Sequence, residues 1–249
     1  MVCMFVPQPS YWAAVRSHND PIGNDHRPRL GALVLIENLT QTDTTQAGAP
    51  MRRGERRKQH TKRRLLDAAA ETYAMSSVEQ ATISAITERA DVGLGTFYLH
   101  FEDKDSIASA VSGVIIRRIL VDEGIAVEAV RSVGGEPDPL ALLARVLCTH
   151  GAENPGLLSA LLRWEGPAPR AVSEEELTGF RAALLPELQK RFTEGSSRDL
   201  YRTEDSDLAA QALLGLFSST IPSWVASGRT DWSTLAAFLE RTVLSMFRR

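Results

Sequence analysis

The stretch from Thr82 to Lys104, TISAITERADVGLGTFYLHFEDK, narrows the folds open to this chain more than any other. Thr82 can cap a helix through its side-chain oxygen, and Ile83, Ile86 and Ala90 share the face that such a helix would bury. Asp91 follows where the chain must turn, and Asp is one of the few residues besides Gly that tolerate a positive φ. Gly93 can cap a second helix of only about two turns, along which Thr96, Phe97 and Tyr98 alternate between outside and inside. A third helix opens near Lys104. Helix, tight turn, helix is the geometry that lays its second helix in a DNA major groove.

The same stretch carries a longer ordered pattern. Ala68 and Ala69 precede it, then come Thr82, Ile83, Ile86, Ala90, Val92, Gly95, Thr96, Phe97, Tyr98, His100, Phe101 and Lys104. From Thr61 to Ile107 the chain thereby resembles the DNA-binding domain of the tetracycline-repressor (TetR) family of bacterial regulators. It departs from that family's pattern at Asp91, where Gly is usual, at Gly93, where Ser or Thr is usual, and at Ser77-Val78, where Gly-aromatic is common. Of these, Asp91 alone touches backbone geometry, and an Asp in the left-handed region is a mild substitute for Gly. Beyond about Ile107 the resemblance rests on helical pattern alone.

Charge supports a nucleic-acid partner once its distribution is considered. The chain is formally −3, yet residues 51 to 64 carry Arg52, Arg53, Arg56, Arg57, Lys58, Lys62, Arg63 and Arg64 against Glu55 alone, which makes that segment +7 and leaves −10 elsewhere. Taken alone, a charge run is more often a solvated face. Placed directly before a helix-turn-helix, it is the footprint of phosphate binding, with the acidic remainder held off the duplex.

At 249 residues and 43% hydrophobic content the chain can bury a sizeable core. Cys3 and Cys148 lie far apart in unlike contexts, so neither a disulfide framework nor a metal site is expected, and Cys148 reads as a small buried hydrophobe on a helix. No apolar run suggests a membrane span, and the opening MVCMFVPQPS lacks a secretory pattern. A cytoplasmic protein with no cofactor and no membrane partner is expected.

Residues 1–50, with five prolines and a Thr/Gln-rich tract, read as a disordered extension or a start-site artefact ahead of Met51. Residues 51–105 read as the basic arm and DNA-binding domain, with a first helix from about Arg57 to Tyr73. Residues 106–249 read as a helical body. Its helices are expected from Asp103 as cap, from Pro139 to His150, and from Asn154-Pro155 to Trp164. Another should run from a Ser173/Glu176 capping box to Phe192 with a kink at Pro186, then a loop from Glu194 to Asp205. Two last helices follow, at Ser206–Ala226 and from Asp231 to Phe247. With no strand pattern in the body, the fold class is all-α.

Contacts to duplex DNA are expected from Arg52, Arg53, Arg56 and Lys62 in the basic segment, and from Leu94, Gly95 and Thr96 at the start of the second helix of the motif. Leu94 or the Thr96 methyl can touch a thymine methyl, and Gly95 lets backbone approach closely. The family resemblance implies phosphate contacts for Thr82, Tyr98, His100 and Lys104, which position the protein without reading sequence. Phe97 and Phe101 read as core.

The resemblance also implies a cavity in the body for a small-molecule effector and a dimer built on the last helices. Leu161, Trp164, Phe180, Leu184, Phe217 and Trp224, with His150 and Arg163 as polar handles, are the effector candidates, although such aromatics are more often core. Leu213, Leu216, Leu235, Leu239 and Val243 are the candidates for a homodimer interface, and each stripe can equally face its own body.

The expectation is a homodimeric, ligand-responsive repressor that leaves a palindromic operator when its effector binds. An enzyme is the first alternative. Gly93-Leu94-Gly95 lacks the third Gly and the preceding strand of a dinucleotide site, His150 and Glu153 lack H-E-x-x-H spacing, and no G-x-S-x-G elbow occurs. A helical module for a protein partner is the second, and the basic segment beside Thr96, Tyr98 and Lys104 argues against it.

Overall fold

The structure is a computed structural model that describes residues 53–164 and 179–249. The described residues form helices α1 (Arg53–Met75), α2 (Ile83–Arg89), α3 (Leu94–Tyr98), α4 (Lys104–Ser132), α5 (Pro139–Glu153), α6 (Pro155–Arg163), α7 (Gly179–Ser197), α8 (Ser206–Ala226) and α9 (Trp232–Phe247). No strand occurs among them, and Tyr201 and Arg248 form an isolated bridge. The class is all-α, as the sequence implied. The expectations for residues 1–50, for Arg52 and for the Ser173/Glu176 box lie outside the described residues.

Caps and prolines set most helix starts. Thr82 accepts from the Ala85 amide at 3.1 Å, Asp103 and Ser106 form a reciprocal capping box, and Asp138 accepts from the Ala141 amide ahead of Pro139. Asp205 and Asp231 cap α8 and α9 in the same way. The first helix begins earlier than its apolar pattern does, at Arg53, so the basic segment is helical from there on. Its first eight described residues are all exposed, and Leu65, Leu66, Ala69 and Tyr73 turn inward only afterwards.

α4 joins the two ends of the molecule. Its 29 residues span about 43 Å. Ile107, Val111, Val114 and Ile115 are buried along its first half, and α5 and α7 pack on it further along. Arg191 of α7 holds the buried Glu123 of α4 with two hydrogen bonds, at 2.5 and 3.2 Å. Such a forked pair satisfies both partners where a single charge would be costly. α9 lies against α5, tied by Arg145 to Glu240.

The DNA-binding end meets the body where α6 abuts α1. A Cβ on Gly156 would lie 2.2 Å from the Ala74 carbonyl oxygen, so only Gly allows this approach. Gly156→Ala must push backbone from backbone, and about 1–3 kcal/mol of stability should be lost. Urea denaturation checks this, and an unchanged midpoint would mean that the two helices are not rigidly packed.

Two expectations on the body need correction. Helix α7 runs on through Glu194 to Ser197, where a loop was expected, because Phe192 sits in a cluster with Tyr201 and Phe247 at ring separations of 5.6 and 4.8 Å. It ends where Asp199 takes a left-handed conformation at φ 59°. Helix α8, at 21 residues, is also long and apolar enough by composition to cross a membrane, which the sequence reading denied. Its most apolar window is only 39% buried within the subunit.

Candidate nucleic-acid interface

The turn between α2 and α3 is held by a pair that the sequence did not announce. Asp91 takes φ 49°, the left-handed conformation expected where the family has Gly. Arg64 of α1 then donates from Nη2 both to the Asp91 carbonyl oxygen at 3.0 Å and to its carboxylate at 3.2 Å. The pair is solvated, so its contribution to stability is small. Its consequence is positional, since it anchors the turn, and with it the start of α3, to α1. Arg89 does the same for α2 through Glu71 at 3.0 Å.

Gly93 caps α3 without a side-chain bond, and Phe97 and Phe101 are buried with their rings 5.8 Å apart, so both are core as expected. The opposite side of α3 is bare. Leu94 is 51% exposed, Tyr98 55%, and Leu99, just past the helix end, 74%. Gly95 is exposed, and a Cβ there would meet nothing within 4 Å. Nothing inside the subunit requires Gly at 95. Leu99 was missed in the sequence because an apolar residue between Tyr98 and His100 reads as core.

The phosphate candidates border this face. Arg53, Arg56 and Lys62 are exposed on α1, and the Lys62 ammonium lies 5.8 Å from the Phe101 ring centre. Basic residues at a helix N-terminus oppose the helix dipole, so they are not there for the helix's sake. Thr82 is exposed and keeps its hydroxyl proton available while its oxygen caps α2. Burial lowers the His100 pKa from its ordinary value, and the charges of Lys58 and Lys62 push it the same way. Lys104 has a second task, because its ammonium donates to the Glu79 carbonyl oxygen at 2.7 Å and ties the start of α4 to the α1–α2 loop.

Asp91 places an exposed carboxylate beside this basic surface. Asp91→Gly should leave stability within about 1 kcal/mol, since relief of the left-handed cost offsets the added freedom of the unfolded chain. With the carboxylate gone and Arg64 released, affinity for any duplex should rise and its salt slope should steepen by about 1 per protomer. Anisotropy titrations at several salt concentrations test this, and an unchanged slope would place Asp91 away from the duplex.

In the body, Leu161, Trp164, Phe180, Leu184 and Phe217 are enclosed in the core between α5, α6, α7 and α8, and Trp224 is half-buried under the Arg229 guanidinium. His150 is buried, with Nε2 3.0 Å from the Asp122 carboxylate, which Arg118 also holds at 3.0 Å. His150 Nδ1 and Trp224 Nε1 are buried without partners. Arg163 is exposed, so as a handle inside the core it is displaced by the structure. A cleft of about 210 Å³ opens instead between α4 and α7, lined by Glu123, Glu187, Lys190 and Arg191, whose charges are largely paired with one another.

The dimer candidates need a sharper correction. Leu213, Leu235, Leu239 and Val243 are buried in their own subunit, where α9 lies on α5, and only Leu216 of the five is partly open. The outer faces of the same helices carry Leu208, Ala212, Gly215, Leu216, Phe238 and Met246. Cys148 is buried, and that burial pushes its thiol up to about 12. Among the described residues no group of three His, Cys, Asp or Glu side chains is placed to hold a metal.

With this geometry in place, comparison with known proteins is informative. Residues 65–111 match the family of bacterial regulatory proteins described as tetR. A fatty acid metabolism regulator protein of Bacillus subtilis (strain 168) is 28% identical over 172 residues, which is 65% of this chain and 81% of that protein. A solved structure of the transcriptional regulator FadR from Bacillus subtilis in complex with stearoyl-CoA superposes with a TM-score of 0.55 at 23% identity, over 73% of this chain and 97% of that one. A TetR-family regulator from Syntrophomonas wolfei gives 0.59 at 17% identity, over 74% and 93%. At these identities the two structures speak for the fold.

Proposed function

We propose that this chain, a transcriptional regulator of the TetR family through its domain at residues 65–111, acts as a homodimeric repressor released from a palindromic operator by a small-molecule effector. The observation that carries the reading is the bare face of α3 beside the exposed basic end of α1. One offers a surface to base edges and the other to phosphates. In this reading residues 51–105 hold the DNA and residues 106–249 hold the effector and the partner subunit.

The outer faces of α8 and α9 support the dimer, because their apolar residues lack cover within the subunit and small side chains at Ala212, Gly215 and Ser219 permit close helix approach. Two copies would then form a four-helix bundle. For the effector, His150 Nδ1 and Trp224 Nε1, buried without partners, are candidate polar handles. The FadR structure with stearoyl-CoA makes a long-chain acyl-CoA the first compound to try.

Selection of bound duplexes from a random pool should return one inverted repeat, and sedimentation should give two protomers per duplex. Stearoyl-CoA, but not free coenzyme A, should release that duplex. A pool that remains random after selection would refute the function.

A further inference from the structure

The side chains of α3 restrict what they can read. From Leu94 to Leu99 the sequence is Leu-Gly-Thr-Phe-Tyr-Leu, with no Arg, Lys, Asn, Gln, Asp or Glu. Those six types make the bidentate or accepting contacts by which proteins pick out guanine, adenine and cytosine in the major groove. At about 100° per residue, Leu94, Tyr98, Gly95 and Leu99 occupy one arc of about 140°. The buried Phe97 lies behind that arc. An exposed leucine adds little to the core, and this face presents two, with the open space over Gly95 between their positions on the arc. The one apolar feature on a base edge in the major groove is the thymine 5-methyl group.

We infer that Leu94 and Leu99 read thymine 5-methyl groups, so that each half-site is specified chiefly by thymines placed under these two side chains. Gly95 lets the groove approach closely enough for contact, while Tyr98 and the basic face of α1 hold the backbone on either side. This rests on the proposed DNA-binding function and gives it a base-level content. It departs from the sequence expectation in assigning Leu99, which lies beyond the helix end, to base reading.

The test uses the full-length protein and its selected duplex, with each thymine replaced in turn by deoxyuridine, which removes only the methyl group. At one or two positions per half-site, affinity should fall about fourfold per methyl, the value of one buried methylene-sized group. Leu94→Ala or Leu99→Ala should bind the normal duplex more weakly and no longer distinguish thymine from uracil at its own position. Both side chains are exposed, so the variants should fold, and unchanged circular dichroism and sedimentation verify this. If the duplex is bound specifically but deoxyuridine has no effect, or if its effect persists in both variants, the inference is wrong while the function stands. If no duplex is bound by the unmodified protein, the function itself fails.

Discussion

Leu239→Arg should yield no folded protein, whereas Phe238→Arg, one residue away on the same helix, should yield a folded monomer. Leu239 is completely buried where α9 packs on α5, and a guanidinium there would be an unpaired charge in an apolar core. Leaving a buried charge uncompensated costs about 3–5 kcal/mol. Domain stability is typically only about 5–15 kcal/mol, and the lost leucine packing adds to the cost. Phe238 is 46% exposed and points away from the core, so its replacement should spare the fold and strike only the proposed partner surface. Val243→Arg, one turn beyond Leu239, and Met246→Arg, about two turns beyond Phe238, should repeat the contrast. Circular dichroism and sedimentation velocity measure both effects. A folded, monomeric Leu239→Arg would return that residue to the interface, and a dimeric Phe238→Arg would remove the outer face from it.

Replacing Arg53, Arg56 and Lys62 together by Gln should abolish most DNA binding at physiological salt without altering the fold, since all three side chains are exposed. In a dimer the change removes up to six phosphate contacts, and the slope of log affinity against log salt should fall by about 5. The loss should be alike for operator and scrambled duplexes, because phosphates carry no sequence. Between 50 and 200 mM salt the unmodified protein should weaken by about 10³-fold or more. A variant that keeps this salt dependence would show that the basic end of α1 does not track the backbone.

The DNA-binding end was the most legible part of the chain because its determinants are local. Thr82 and Asp103 announced their caps, Asp91 its left-handed turn, and Phe97 and Phe101 their burial. The Arg64–Asp91 pair was not legible, since its partners are separated by 27 positions. Helix α7 was cut short because the polar residues after Glu194 look like loop until Tyr201 and Phe247 are placed against Phe192. The last two helices mark a limit of periodicity itself. An apolar stripe states that a face is covered and says nothing about whether its own body or a second copy covers it. Leu235, Leu239 and Val243 form the more regular stripe of α9, and it is the inner one. Phe238 and Met246 share the helical apolar pattern with these three, and the pattern alone does not separate the outer side from the inner one.

The central claim is that α3 enters the major groove of one particular sequence. Titration of the protein against the selected duplex and a scrambled duplex of equal composition tests it most directly. The unmodified protein should prefer the selected duplex by about 10³-fold or more at physiological salt. Equal affinity of the unmodified protein for both duplexes would contradict the account.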